Sequence, residues 1–135
     1  MVSACAQLQE AVFQALSTDA ALTDLIGPGK VFDHVPERAR FPYIVLGAQT
    51  GRDWSTATED GTEIDFFVHV WSREKGRQTL TEMEHHVRRI LLEPLPDLTH
   101  HHLINLRFIW AEFSRNRNLR HRQGALKFRG VTEPK

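Results

Sequence analysis

Apolar positions along the chain change period several times, and each change marks an element. Leu8, Val12, Ala15 and Leu16 recur at helical spacing with Gln7, Glu10 and Gln14 on other faces, which predicts an amphipathic helix. A short second helix follows through Leu22, Leu25 and Ile26, with Asp19 as its N-cap and "GPG" as its stop. "KVFDHV" reads as a short strand closed by Pro36. A longer strand is predicted over Tyr43 to Thr50, and the chain returns through "TEIDFFVHVWS". In the return strand Ile64, Phe66, Val68 and Val70 share one face, and Asp65, Phe67, His69 and Trp71 the other. The two strands form a hairpin whose loop spans Gly51 to Gly61 and holds Trp54.

Leu80, Met83, Val87, Ile90 and Leu91 then make one helical stripe, ended by Pro94 and Pro96. "HHLINLRFIWAEF" alternates, which puts Ile104, Leu106, Phe108 and Trp110 on one face. After a turn at "NRN", Leu126 and Phe128 oppose Gln123, Lys127 and Arg129, closing a second hairpin. The order predicts an α+β fold: an antiparallel β-sheet of two hairpins plus a short strand, with helices packed on one face. At 135 residues, without a repeat, low-complexity tract or linker, the chain reads as a single domain over residues 1–135.

Composition adds mainly exclusions. With 41% hydrophobic and 25% charged residues the chain has the balance of a globular protein. The formal net charge is zero, so no global field draws it to nucleic acid or anionic lipid. One cysteine, Cys5, allows no intrachain disulfide and no thiolate cluster. No basic leader or long apolar run is present, so a soluble, unexported protein with no membrane partner is expected.

Candidate chemistry is thin. His85, His86 and the tract His100 to His102 suggest metal ligands, but adjacent residues diverge on a helix or strand, and no His-Glu-x-x-His order occurs. Asp53, Glu59, Asp60, Glu63 and Asp65 cluster around the first hairpin loop, where the expectation is a solvated acidic surface. Cys5 has no recognisable base partner, and "GPGK" lacks the phosphate-loop spacing. No catalytic, metal or cofactor site is therefore expected, and the reading is of a protein that is not an enzyme.

Two surfaces stand out instead. From Arg107 to Arg129 the chain carries Arg115, Arg117, Arg120, Arg122, Lys127 and Arg129 against Glu112 alone. Such a patch suits phosphate contacts, or the acidic hairpin of a neighbouring copy in a heterologous ring contact, and the neutral whole chain favours self-assembly. Phe67 and Trp71 lie on the strand face that should be polar, which makes them interface anchors unless helices or the tail cover them.

The series "LQEAVFQAL", "DAALTDLIG", "VFDHVP", "FPYIVLG", "DWSTATEDG" and "VHVWSREKGR" resembles the tail completion or tail terminator proteins of long-tailed phages and gene transfer agents. The resemblance runs from Leu8 to Thr132 and is strongest from Phe41 to Gly76; Pro42, Tyr43, Gly47, Trp54, Ser55, Thr56, Gly61, Trp71, Ser72 and Gly76 match the family's pattern. It implies a structural protein that forms a ring, typically hexameric, capping the tail tube and joining the tail to the head connector. The implied partners are further copies of itself, the tube protein and the head connector or stopper protein, with DNA passing through the lumen unread. Assembly would take place in the cytoplasm of the producing bacterium, and the ring would end at the head-proximal end of the tail in the particle. On that reading the assembly interface comprises Asp53, Trp54, Ser55 and Thr56, the aromatics Phe67 and Trp71, and the basic hairpin Arg115, Arg117, Arg120, Arg122, Lys127 and Arg129. The rivals are a nucleic-acid-binding accessory protein using that basic hairpin and a metal-dependent hydrolase using His and Asp side chains.

Overall fold

Ser3 begins the described structure, its hydroxyl accepting from the Ala6 N–H at 3.1 Å and capping helix α1 (Ala4–Thr18). The computed structural model describes residues 3–73, 75–118 and 120–135. Asp19 caps α2 (Ala20–Ile26) as expected: its Oδ2 accepts from the Leu22 N–H at 3.0 Å and from Arg89 Nη2 at 2.7 Å. One carboxylate thus both starts α2 and ties it to α3 (Arg77–Leu92). The guanidinium bond from Arg89 holds the Asp19 carboxyl below the usual carboxylate range.

Five strands follow: β1 (Val31–Phe32), β2 (Tyr43–Asp53), β3 (Thr62–Arg73), β4 (His101–Asn116) and β5 (His121–Pro134). They form one sheet in the order β1-β2-β3-β5-β4, so the two hairpins join through β3 and β5. The fold is α+β with the helices on one face, as the periodicity predicts. The sheet is mixed and not wholly antiparallel, because β1 runs parallel to β2, pairing Val31 with Ile44 and Phe32 with Val45. The intervening chain, residues 33–42, crosses back before β2 begins, which a hairpin turn would not do.

Burial follows the predicted stripes. Leu8, Val12 and Leu16 of α1, and Leu80, Met83, Val87, Ile90 and Leu91 of α3, face Ile64, Phe66, Val68 and Val70 of β3 and Leu126 and Phe128 of β5. At the centre Phe128 stacks on Phe66 at 5.5 Å and meets Phe108 edge-on at 5.6 Å. The alternation expected for β4 fails. Register shifts between Leu103 and Asn105 and between Phe108 and Trp110 each insert a residue, so the core-facing set is Leu103, Leu106, Phe108 and Ala111. Ile104 is left 50% exposed, and Trp110 turns to the other face. The first hairpin is also longer than expected: β2 continues to Asp53, and the loop is confined to residues 54–61.

Candidate assembly surface

The helices leave one side of the sheet uncovered, and three groups of side chains run along it. At the end where β2 begins, Tyr43 stacks on Phe41 at 5.3 Å and on Trp71 at 6.1 Å, and Trp71 meets His121 edge-on at 5.0 Å. In the middle, Phe67 packs with His69 at 6.1 Å and Trp110 at 5.7 Å. Near the first hairpin tip an ionic group takes over: Arg129 Nε donates to Asp65 Oδ1 at 2.7 Å, Lys127 Nζ lies 3.6 Å from Asp65, and Arg52 pairs with Glu63. The register creates this arrangement by placing Phe67 opposite Lys127, Asp65 opposite Arg129 and Trp71 opposite Gln123.

No described helix covers Phe67 and Trp71. Both are half-buried, and Trp71 lines a cleft of about 480 Å³ together with Val35, Tyr43, His69, Glu112 and Gln123. The imidazole of His69 sits directly over Gly47, where a Cβ would come within 2.6 Å of its Nε2. Burial there pushes the His69 pKa down. Trp71 Nε1 and His121 Nδ1 are both buried without a hydrogen-bond partner among the described residues. Orphaned polar atoms of this kind cost about 1–3 kcal/mol each, which the ring packing around them has to offset.

The loop of residues 54–61 is held by its own polar groups. Asp53 Oδ1 accepts from the Ser55 N–H at 3.0 Å and hydroxyl at 2.5 Å, and Ser55 Oγ accepts from the Gly61 N–H at 3.1 Å. These bonds lower the Asp53 pKa. Thr56 N–H donates to the Glu59 carbonyl at 2.7 Å, and the Trp54 N–H to the Gly61 carbonyl at 2.9 Å. A Cβ on buried Gly61 would lie 3.2 Å from the Trp54 carbonyl oxygen, so this turn closes tightly against the strand. Trp54 itself is 56% exposed. Its side chain is presented by a frame that does not depend on it.

The residues expected to form one assembly interface therefore occupy separate places. Asp53, Trp54, Ser55 and Thr56 form one tip, and Phe67, Trp71, Lys127 and Arg129 line the uncovered face. Arg117 and Arg120 belong to the β4–β5 turn at the far end of the sheet, with Arg115 and Arg122 paired beside it. The length of β3 separates the two tips, roughly 40 Å at 3.3 Å per residue. The acidic residues divide as well. Asp53, Glu59 and Asp60 are exposed as expected, but Glu63 and Asp65 belong to β3 and are ion-paired within the chain. Arg129 holds the Asp65 carboxyl below its usual range. Sequence reading missed Arg73, Lys75 and Arg77, which the β3–β5 register brings to the basic end; spacing along the chain carries no signal for that approach.

Of the histidine tract, His102 Nδ1 lies 2.9 Å from Asp97, His101 Nδ1 lies 3.2 Å from Gln7, and the His100 N–H donates to the same Gln7 side chain at 3.0 Å. Among the described residues no three His, Cys, Asp or Glu side chains gather as a metal site. No described helix is long and apolar enough to cross a membrane. The surface offers stacking rings, paired ions and a rigid exposed tryptophan, which are means of contact.

Comparison with solved structures finds a similar chain in the virion of a native gene transfer agent particle. It shares 30% identity over 98% of this chain and 99% of that one, with a TM-score of 0.87. No curated protein matches. The family model described as tail completion protein gp17 matches residues 10–133, nearly the whole α+β unit, and the chain belongs to that family.

Proposed function

We propose that this protein is a structural tail component that forms a ring on the finished tail tube, stops its growth and joins the tail to the head connector. The observation that carries the reading is the end-to-end likeness, at a TM-score of 0.87, to a chain from a gene transfer agent virion. The uncovered sheet face supports it, because large rings such as Phe67, Trp71 and Trp110 on a face without helices suit contact with other subunits. The Trp54 loop acts as a preformed anchor, holding Asp53, Ser55 and Thr56 in a fixed turn. Tube protein, connector and further copies of the chain are the partners, and the protein performs no catalysis.

The test is deletion of the gene in a strain that produces the particles, followed by electron microscopy of the lysate. Full heads beside detached or overlong tubes are expected. Intact particles with tails of normal length would refute the proposal.

A further inference from the structure

The neutral chain is electrically divided. At the end of the sheet where β3 stops and β5 starts, Arg73 lies opposite His121 and Arg115 opposite Arg122. Arg77, at the start of α3, lines a cleft of about 420 Å³ together with Arg115, Arg122 and Glu84, the last of which is ion-paired with Arg88. Arg73 and Lys75 line a neighbouring cleft against Phe41 and Pro42. Arg117 and Arg120 extend from the turn beyond, both exposed. None of the described residues in 73–77 or 115–123 is acidic, and with Glu74 counted the two segments remain strongly net positive. The first turn of α3 carries no acidic side chain, so the partial positive charge of its amino end adds to the same surface.

From this convergence of cations carried by separate segments we infer that the basic end binds the phosphate backbone of duplex DNA without reading its sequence. The alternative occupant, the acidic end of a second copy, keeps Asp53, Glu59 and Asp60 exposed but loses its β3 carboxylates to ion pairs within its own subunit. Asp65 is taken by Arg129 and Lys127, and Glu63 by Arg52. Guanidinium groups predominate at the basic end, and their fork matches phosphate oxygens two at a time. Sequence-independent contact follows, because cationic side chains that meet phosphate oxygens carry no base information. The inference concerns the isolated protein and does not require that a ring form or that tails be joined.

The experiment is fluorescence anisotropy of the purified protein with two short duplexes of unrelated sequence. With about five phosphate contacts, affinity should fall roughly 500-fold between about 50 and 200 mM salt, equally for both duplexes. Arg117→Glu/Arg120→Glu should reduce the slope of log affinity against log salt by about two, whereas Lys135→Glu, at the opposite end, leaves it unchanged. If the reversal variant does not fold by circular dichroism, Arg73→Gln/Lys75→Gln makes the same test. Absence of binding at low salt, a slope indifferent to these substitutions, or preference for one duplex would overturn the inference. So would polyglutamate competing as well as DNA at equal charge, which would assign the surface to an acidic protein.

Discussion

Replacing Trp54 by alanine separates the assembly role of the first hairpin tip from its fold. Trp54 is 56% exposed, and a side chain of this size carries up to about 250 Å² of surface, so about 140 Å² remains in water. Complete burial of that area against a partner would contribute roughly 3.5 kcal/mol at about 25 cal/mol/Å². Ordering the ring takes back about 0.5–1.5 kcal/mol, leaving roughly 2–3 kcal/mol, the range of an interface hot spot. The loop should persist without the indole, since Asp53, Ser55, Thr56, Glu59 and Gly61 hold it through bonds that use only the backbone of residue 54. Trp54→Ala should therefore keep the wild-type circular dichroism spectrum while weakening docking about 30-fold or more. The assay is complementation of the deletion strain, counting heads that carry tails by electron microscopy, with thermal melting of the purified variant as the fold control. Tailed particles at the wild-type fraction would refute the reasoning about the tip, and a collapsed melting temperature would refute the claim that the loop is self-supporting.

Phe128→Ala removes the centre of the aromatic stack and should cost about 3–5 kcal/mol, lowering Tm by roughly 10–15 °C in a scanning melt; a drop of only a few degrees would contradict the packing described. Gly47→Ala would drive a methyl into His69 and should displace the imidazole toward water, so that its pKa, measured by NMR titration, moves back up; an unmoved value would mean that Gly47 does not set its burial. Asp65 has a pKa lowered on folding, chiefly by the bond from Arg129. Its stabilising contribution is present above the unfolded carboxylate pKa and is lost as pH falls through the folded value. Asp65→Asn should accordingly lower Tm at neutral pH and differ little from the wild type in strong acid, and a deficit independent of pH would argue against the ion pair.

Sequence alone determined the helices, because α1 and α3 bury an unbroken 3.6-residue stripe and Asp19 caps α2 through a purely local bond. It likewise settled the two faces of β3, where strict alternation admits one orientation against the core. It also singled out the Trp54 loop, whose frame is built from neighbours within eight residues. Only the tertiary structure decided the rest, since each remaining feature depends on partners distant along the chain. Parallel pairing of β1, the bulges that turn Trp110 away from the core, and the choice of Arg129 as partner for Asp65 are all set by register between strands. Charge shows the difference most plainly. Arg73 and Arg117 are separated by more than forty residues in sequence, yet the pairing of β3 with β5 brings their segments to one end of the sheet, while Asp65 is neutralised near the other. A sum over the chain returns zero, and electrostatic interaction depends on distances in space that composition does not contain.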